Sequence, residues 1–125
     1  MTFPHDLKNA MNWQQASNPA AQTSTVTGSA IDMLGGEGRV TVIQACGTHG
    51  GTNPTLDGKI QESDDTVSGN FGDITGATFT QTTAAGVQVI SASRSKRYLR
   101  YVGTIAGTNP TITFNVLVGE AKKQF

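Results

Sequence analysis

The chain has 125 residues, enough for one domain, and its nine basic and nine acidic residues cancel. A neutral chain sets up no field to draw in nucleic acid or an acidic membrane, so neither is expected as a partner. Fifteen glycines, 14% charged residues and abundant threonine exclude an ordinary helical protein and give an all-β composition.

Residues 1–23 differ in character from the rest of the chain and read as an N-terminal arm. Asp6 can cap one or two helical turns, which would place Leu7, Ala10 and Met11 on one face. So short a helix needs a surface to pack on. Gln14 to Gln22 is polar and broken by Pro19. Phe3, Leu7, Met11 and Trp13 are the apolar side chains of the arm and its candidate intermolecular contacts. The arm opens with no basic start and apolar run, so a signal peptide is not expected. No stretch approaches the ~20 apolar residues of a membrane span, and a soluble protein made in a reducing cytoplasm is the expectation.

From Ser24 the chain reads as short strands joined by turns, so residues 24–125 are expected to form an antiparallel β-sandwich or jelly-roll-like domain of seven or eight strands. Thr25–Thr27 and Ala30–Met33 read as one strand interrupted at Gly28-Ser29, and Leu34–Gly38 as a turn. Arg39–Ala45 is the next strand. It leads into Gly51-Thr52-Asn53-Pro54-Thr55, a pentapeptide that recurs 56 residues later as Gly107-Thr108-Asn109-Pro110-Thr111. Each copy lies between two strand-like stretches, and its Gly and Pro predict a hairpin. Glu62–Asn70 is a polar loop. Phe71–Ile74 and Ala77–Gln81 are short strands broken by Gly76, and Val87–Ile90 is a further strand. Ile112, Phe114, Val116 and Val118 alternate with Thr113, Asn115 and Leu117, the period of two of a half-buried strand. Val40, Val42, Ile60, Phe79, Val89, Leu99, Ile112, Phe114 and Val116 are the expected core.

The residues that could carry chemistry are few. Cys46 is the one cysteine; it ends an apolar strand and reads as a small buried hydrophobe. A nucleophilic role would require a base placed beside it by the fold, and His49 lies in the Gly-rich turn. Asp57, Glu62, Asp64 and Asp65 lack the spacing of a calcium loop and read as a solvated loop. Arg94, Lys96, Arg97 and Arg100 form the one basic cluster, interleaved with Tyr98 and Tyr101. Strand alternation puts Arg97 and Arg100 on opposite faces, so pairing with Glu62 or Asp64 is preferred to a nucleic-acid surface. No metal spacing, phosphate loop or nucleophile elbow is present, so no catalytic, cofactor-binding or metal residues are assigned and an enzyme is not expected.

Asp6-Leu7-Lys8-Asn9, Gly28-Ser29-Ala30-Ile31-Asp32-Met33, Lys59-Ile60-Gln61-Glu62-Ser63-Asp64-Asp65, Gly76-Ala77-Thr78-Phe79 and Lys96-Arg97-Tyr98-Leu99-Arg100-Tyr101-Val102 follow one another along nearly the whole chain. In these stretches it resembles the small structural proteins encoded among the head genes of tailed bacteriophages and prophages. The resemblance implies a virion component made in the bacterial host cytoplasm, a capsid decoration or cement protein on the phage head surface. Its implied partners are the major capsid protein and itself, and a homotrimer is preferred to a dimer because three-fold positions recur on an icosahedral lattice. The alternative is a carbohydrate- or receptor-binding β-sandwich module of a virion, for which Trp13, Tyr98 and Tyr101 would be the aromatic candidates.

Overall fold

The computed structural model describes residues 11–122, apart from the side chains of Glu37 and Lys122. They form seven strands: β1 (Met11–Gln22), β2 (Val26–Thr27), β3 (Ile31–Asp32), β4 (Gly36–Ser63), β5 (Gly72–Thr78), β6 (Gly86–Ser93) and β7 (Tyr98–Lys122). A single 3-10 turn covers Ser68–Asn70. Every strand pairing is antiparallel, giving the all-β domain that composition and alternation predict.

Two long strands carry the rest. β4 and β7 pair along their whole length, from Gly36 opposite Lys122 to Ser63 opposite Tyr98. The two copies of the repeated pentapeptide lie across from each other at the middle of this ribbon, with Thr52 opposite Thr108 and Thr55 opposite Ala106. The expected hairpins are therefore not formed: both strands run on through the pentapeptide. Gly51 (φ 99°) and Asn53 (φ 51°) are left-handed, as are Gly107 (φ 124°) and Asn109 (φ 50°). Two such residues spaced by one make a bulge that shifts the register and does not reverse the chain. Asn is among the few side chains that accept this conformation. A Cβ on Gly107 would come within 2.7 Å of the Asn53 carbonyl oxygen, and one on Gly51 would collide with the Asn109 carbonyl, so each copy is shaped by the other.

The bulges divide the ribbon into two layers. In layer A, residues 36–50 of β4 and 111–122 of β7 are flanked by β6 and β1. In layer B, residues 52–63 of β4 and 98–108 of β7 are flanked by β5 on one side and by β2 and β3 on the other. The layers pack face to face through Tyr101 of layer B. Its ring lies 6.0 Å from that of Phe114 in layer A and 6.3 Å from that of Phe79, and its hydroxyl donates to Gln44 Oε1 at 2.6 Å. Gly58 and Gly103 leave the room that this ring occupies, since a Cβ at either would strike it. Val40, Val42, Ile60, Leu99, Ile112, Phe114, Val116 and Phe79 are buried around it, as their alternation predicts.

Arg94 closes one end of the sandwich. Its guanidinium donates to both oxygens of Glu120 (2.6 and 2.7 Å), to the Met33 carbonyl (2.6 Å) and to the Lys96 carbonyl (2.9 Å). Glu120 is 2% exposed, and Gly36 makes room for it, since any Cβ there would overlap the carboxylate.

Two further expectations are corrected. Residues 11–22 of the arm are an edge strand hydrogen-bonded along β7, from Met11 opposite Ala121 to Gln22 opposite Ile112. Pro19 falls between Ser17 and Ala20, where the register shifts, and there its missing N–H costs no ladder bond. The helical turn proposed for Leu7–Met11 falls on residues 1–10, outside the described residues, except that Met11 itself begins β1. Val89 is 59% exposed instead of buried. The opposite face of β6 turns inward: Ala92 joins the core, and the Gln88 side-chain amide is bonded to both backbone groups of Thr80 at 2.8 and 2.9 Å.

Candidate interaction surface

The side chains singled out for chemistry are dispersed by the fold. Burial pushes the Cys46 thiol up, and the nearby Thr82 hydroxyl only partly opposes this, so the thiol stays protonated. His49 is turned to Thr82 instead. Its Nδ1–H donates to the Gly47 carbonyl at 3.0 Å, which leaves Nε2 to accept from the Thr82 hydroxyl at 3.1 Å. The cluster ties β4 to the segment before β6 and places no base on sulfur.

The acidic run is spent on separate tasks. Asp57 accepts from Gln81, and Glu62 accepts from the Ser95 N–H and hydroxyl and from the Lys96 N–H. Asp65 organises its loop through the Val67 N–H, Asn70 and Ser63, which hold its carboxyl below the ordinary carboxylate value. Among the described residues no three His, Cys, Asp or Glu side chains converge as a metal cage.

The basic cluster is used for structure as well, with different partners from those expected. Arg94 takes Glu120 and Arg97 takes Asp32 in a two-pronged pair at 2.7 and 2.9 Å, where Glu62 or Asp64 was expected. Arg97 precedes the first residue of β7, so strand alternation does not carry it inward with Leu99 and Tyr101. Arg100 donates to Gln61 and Ser68 and lies 4.4 Å over the Phe71 ring.

The informative feature is the contrast between the two outer faces. The outer face of layer B is charged and paired. Lys59 meets Asp73 at 3.1 Å, Gln61 bridges Asp73 and Arg100, and Asp32 meets Arg97. The outer face of layer A carries no charge in its middle. The strand register sets Gln15, Leu117, Ile43 and Val89 side by side in one row across four strands. A second row reads Trp13, Gly119, Thr41 and Ser91, and a third Asn115, Ala45 and Val87. Side chains directly opposite in antiparallel strands share a face, so these form one continuous surface. Val87 is 67% exposed and Trp13 is 38% exposed.

Of the expected contact residues, Trp13 belongs to this surface. Its indole packs against Gly119, where a Cβ would approach within 2.5 Å of the ring. Met11 is half-buried at the start of β1, and Phe3 and Leu7 lie outside the described residues. Ile43, Leu117, Val87 and Val89 were missed as surface residues. The signal for them was the near absence of charge on both parities of β4 residues 40–46 and β6 residues 87–93.

Compared with known proteins, the chain matches no family model and no curated protein.

Proposed function

We propose that the chain is a virion structural protein, a capsid decoration or cement protein that binds the outside of a phage head and stabilises the shell. Its partners in this reading are the major capsid protein and further copies of itself. The observation that carries the reading is the outer face of layer A, whose middle is uncharged and carries Ile43, Leu117, Val87 and Val89, set against an opposite face whose charges are paired. The largest apolar patch on a domain's surface is often functional and is the first candidate for an interaction site. Weak contacts at many copies add up once the shell fixes their spacing.

A second reading, a carbohydrate-binding module, is favoured by one feature. A groove of about 240 Å³ between β1 and β2 is lined by amides and hydroxyls, including Gln15, Ser17, Asn18 and Thr27, with no charged group. No aromatic ring lines it for stacking on a sugar, so it ranks second.

Binding to empty capsids tests the first reading. Ile43→Lys puts a charge in the centre of the layer A face and is expected to weaken binding about tenfold or more, which is about 1.4 kcal/mol. Thr104→Lys, exposed on layer B, is expected to bind as the wild type does. Equal occupancy of the two variants on the particle, or glycan binding in place of particle binding, would contradict the proposal.

A further inference from the structure

Four strand edges bound the two layers, and three are blunted. An edge strand offers unpaired backbone N–H and C=O groups to any other strand, and proteins guard against this with proline, charge, bulges or short length. β1 has Pro19 and two register shifts. β2 and β3 are two residues each. β5 carries Asp73, a left-handed Gly76 (φ 84°) and a register shift against β4. β6 has none of these protections. Its eight residues, Gly86-Val87-Gln88-Val89-Ile90-Ser91-Ala92-Ser93, run in unbroken register with β4 and contain no proline and no charge. Among the described residues, β4 is the one strand that pairs with it.

We propose that β6 is covered by β6 of a second copy of this chain, the two strands pairing antiparallel about a two-fold axis. Strand addition needs an open edge on both partners, and the open edge that another copy offers is β6 again. An edge meeting itself is an isologous contact, closed at two copies. An axis perpendicular to the sheet makes the strands antiparallel and joins two four-stranded A layers into one of eight. It also sets the two layer A outer faces side by side, looking the same way.

The two-fold takes the place of the three-fold expected from a capsid role. It rests on the edge of β6 alone and holds whatever the paired face binds.

Cysteine scanning of the full-length protein tests it without capsids. Cys46 is buried, and it is the only cysteine of the chain. Identical residues near a two-fold axis between antiparallel strands have Cβ atoms about 4.5–5.5 Å apart, close enough for a disulfide with small adjustment. Single cysteines placed at positions 87, 89 and 91 should oxidise to covalent dimers with a sharp maximum at one of them. Val67→Cys, exposed in the loop before β5, should not. Light scattering should give a dimer for the wild type and a monomer with an unchanged circular dichroism spectrum for Val87→Lys combined with Val89→Lys. A wild-type monomer or trimer at micromolar concentration, or cross-linking as fast at residue 67 as on β6, would overturn the proposal. If the double-lysine variant does not fold, the cysteine scan decides.

Discussion

Arg94 and Glu120 show how single residues hold the two layers in register. Glu120 belongs to layer A, and Arg94 joins it to the Met33 carbonyl just after β3 of layer B. Removing one partner of a buried ion pair leaves the other charge without compensation, at a cost of about 3–5 kcal/mol. Arg94→Ala is therefore expected to lower the urea midpoint by far more than Arg97→Ala, whose pair is exposed on both sides. Equal midpoints would show that Arg94 is not a clamp. Asp32 gives a pH test at the same scale. The hydrogen bond from Arg97 first, then that from the Leu34 N–H, lowers its carboxyl from an ordinary 3.8 to about 2. A lowered carboxylate stabilises the fold above its unfolded pKa and loses that effect as pH falls through the folded value. The midpoint difference between wild type and Asp32→Asn should be constant down to about pH 4 and vanish towards pH 2. A difference that persists below both values would contradict the assignment.

At the scale of elements, the repeated pentapeptide is the device that bends the ribbon. Gly107→Val would force a β-branched side chain to φ 124° against the Asn53 carbonyl. Such strain costs about 1–3 kcal/mol, and the collision adds to it. The variant should melt well below Gly86→Val, a glycine with open space around it, and similar melting temperatures would mean that the bulge is not required. The pentapeptide also shows where sequence reading stops. Gly and Asn-Pro announce a break in strand geometry, but a hairpin and a paired bulge use the same residues. What separates them is which strand lies opposite, a contact 56 residues away in the chain. β1 was illegible for a related reason. As an edge strand with Asn12, Gln14, Gln15 and Asn18 it has no apolar alternation, and backbone pairing with β7 specifies it instead. The strongly alternating 112–118 stretch was legible because one of its faces is wholly buried. In β6 both parities are apolar, so Val89 could be assigned to either face. The side-chain bonds of Gln88 to Thr80 settle it in the fold.

For the whole molecule, the two layers divide the labour. Layer B turns paired charges outward, and layer A turns Leu117, Ile43, Val89 and Trp13 outward. The candidate contact was legible in part: Trp13 stood out as the lone tryptophan, while its neighbours on the face come from four strands that only the fold brings together. The most direct test is a density map of phage heads bearing this protein, resolved well enough to orient the sandwich. The account predicts the outer face of layer A against the shell, Trp13 and Leu117 at the contact, and the Asp32–Arg97 and Lys59–Asp73 pairs pointing to solvent. A map that sets the paired charges of layer B on the shell, with layer A facing water, would contradict it.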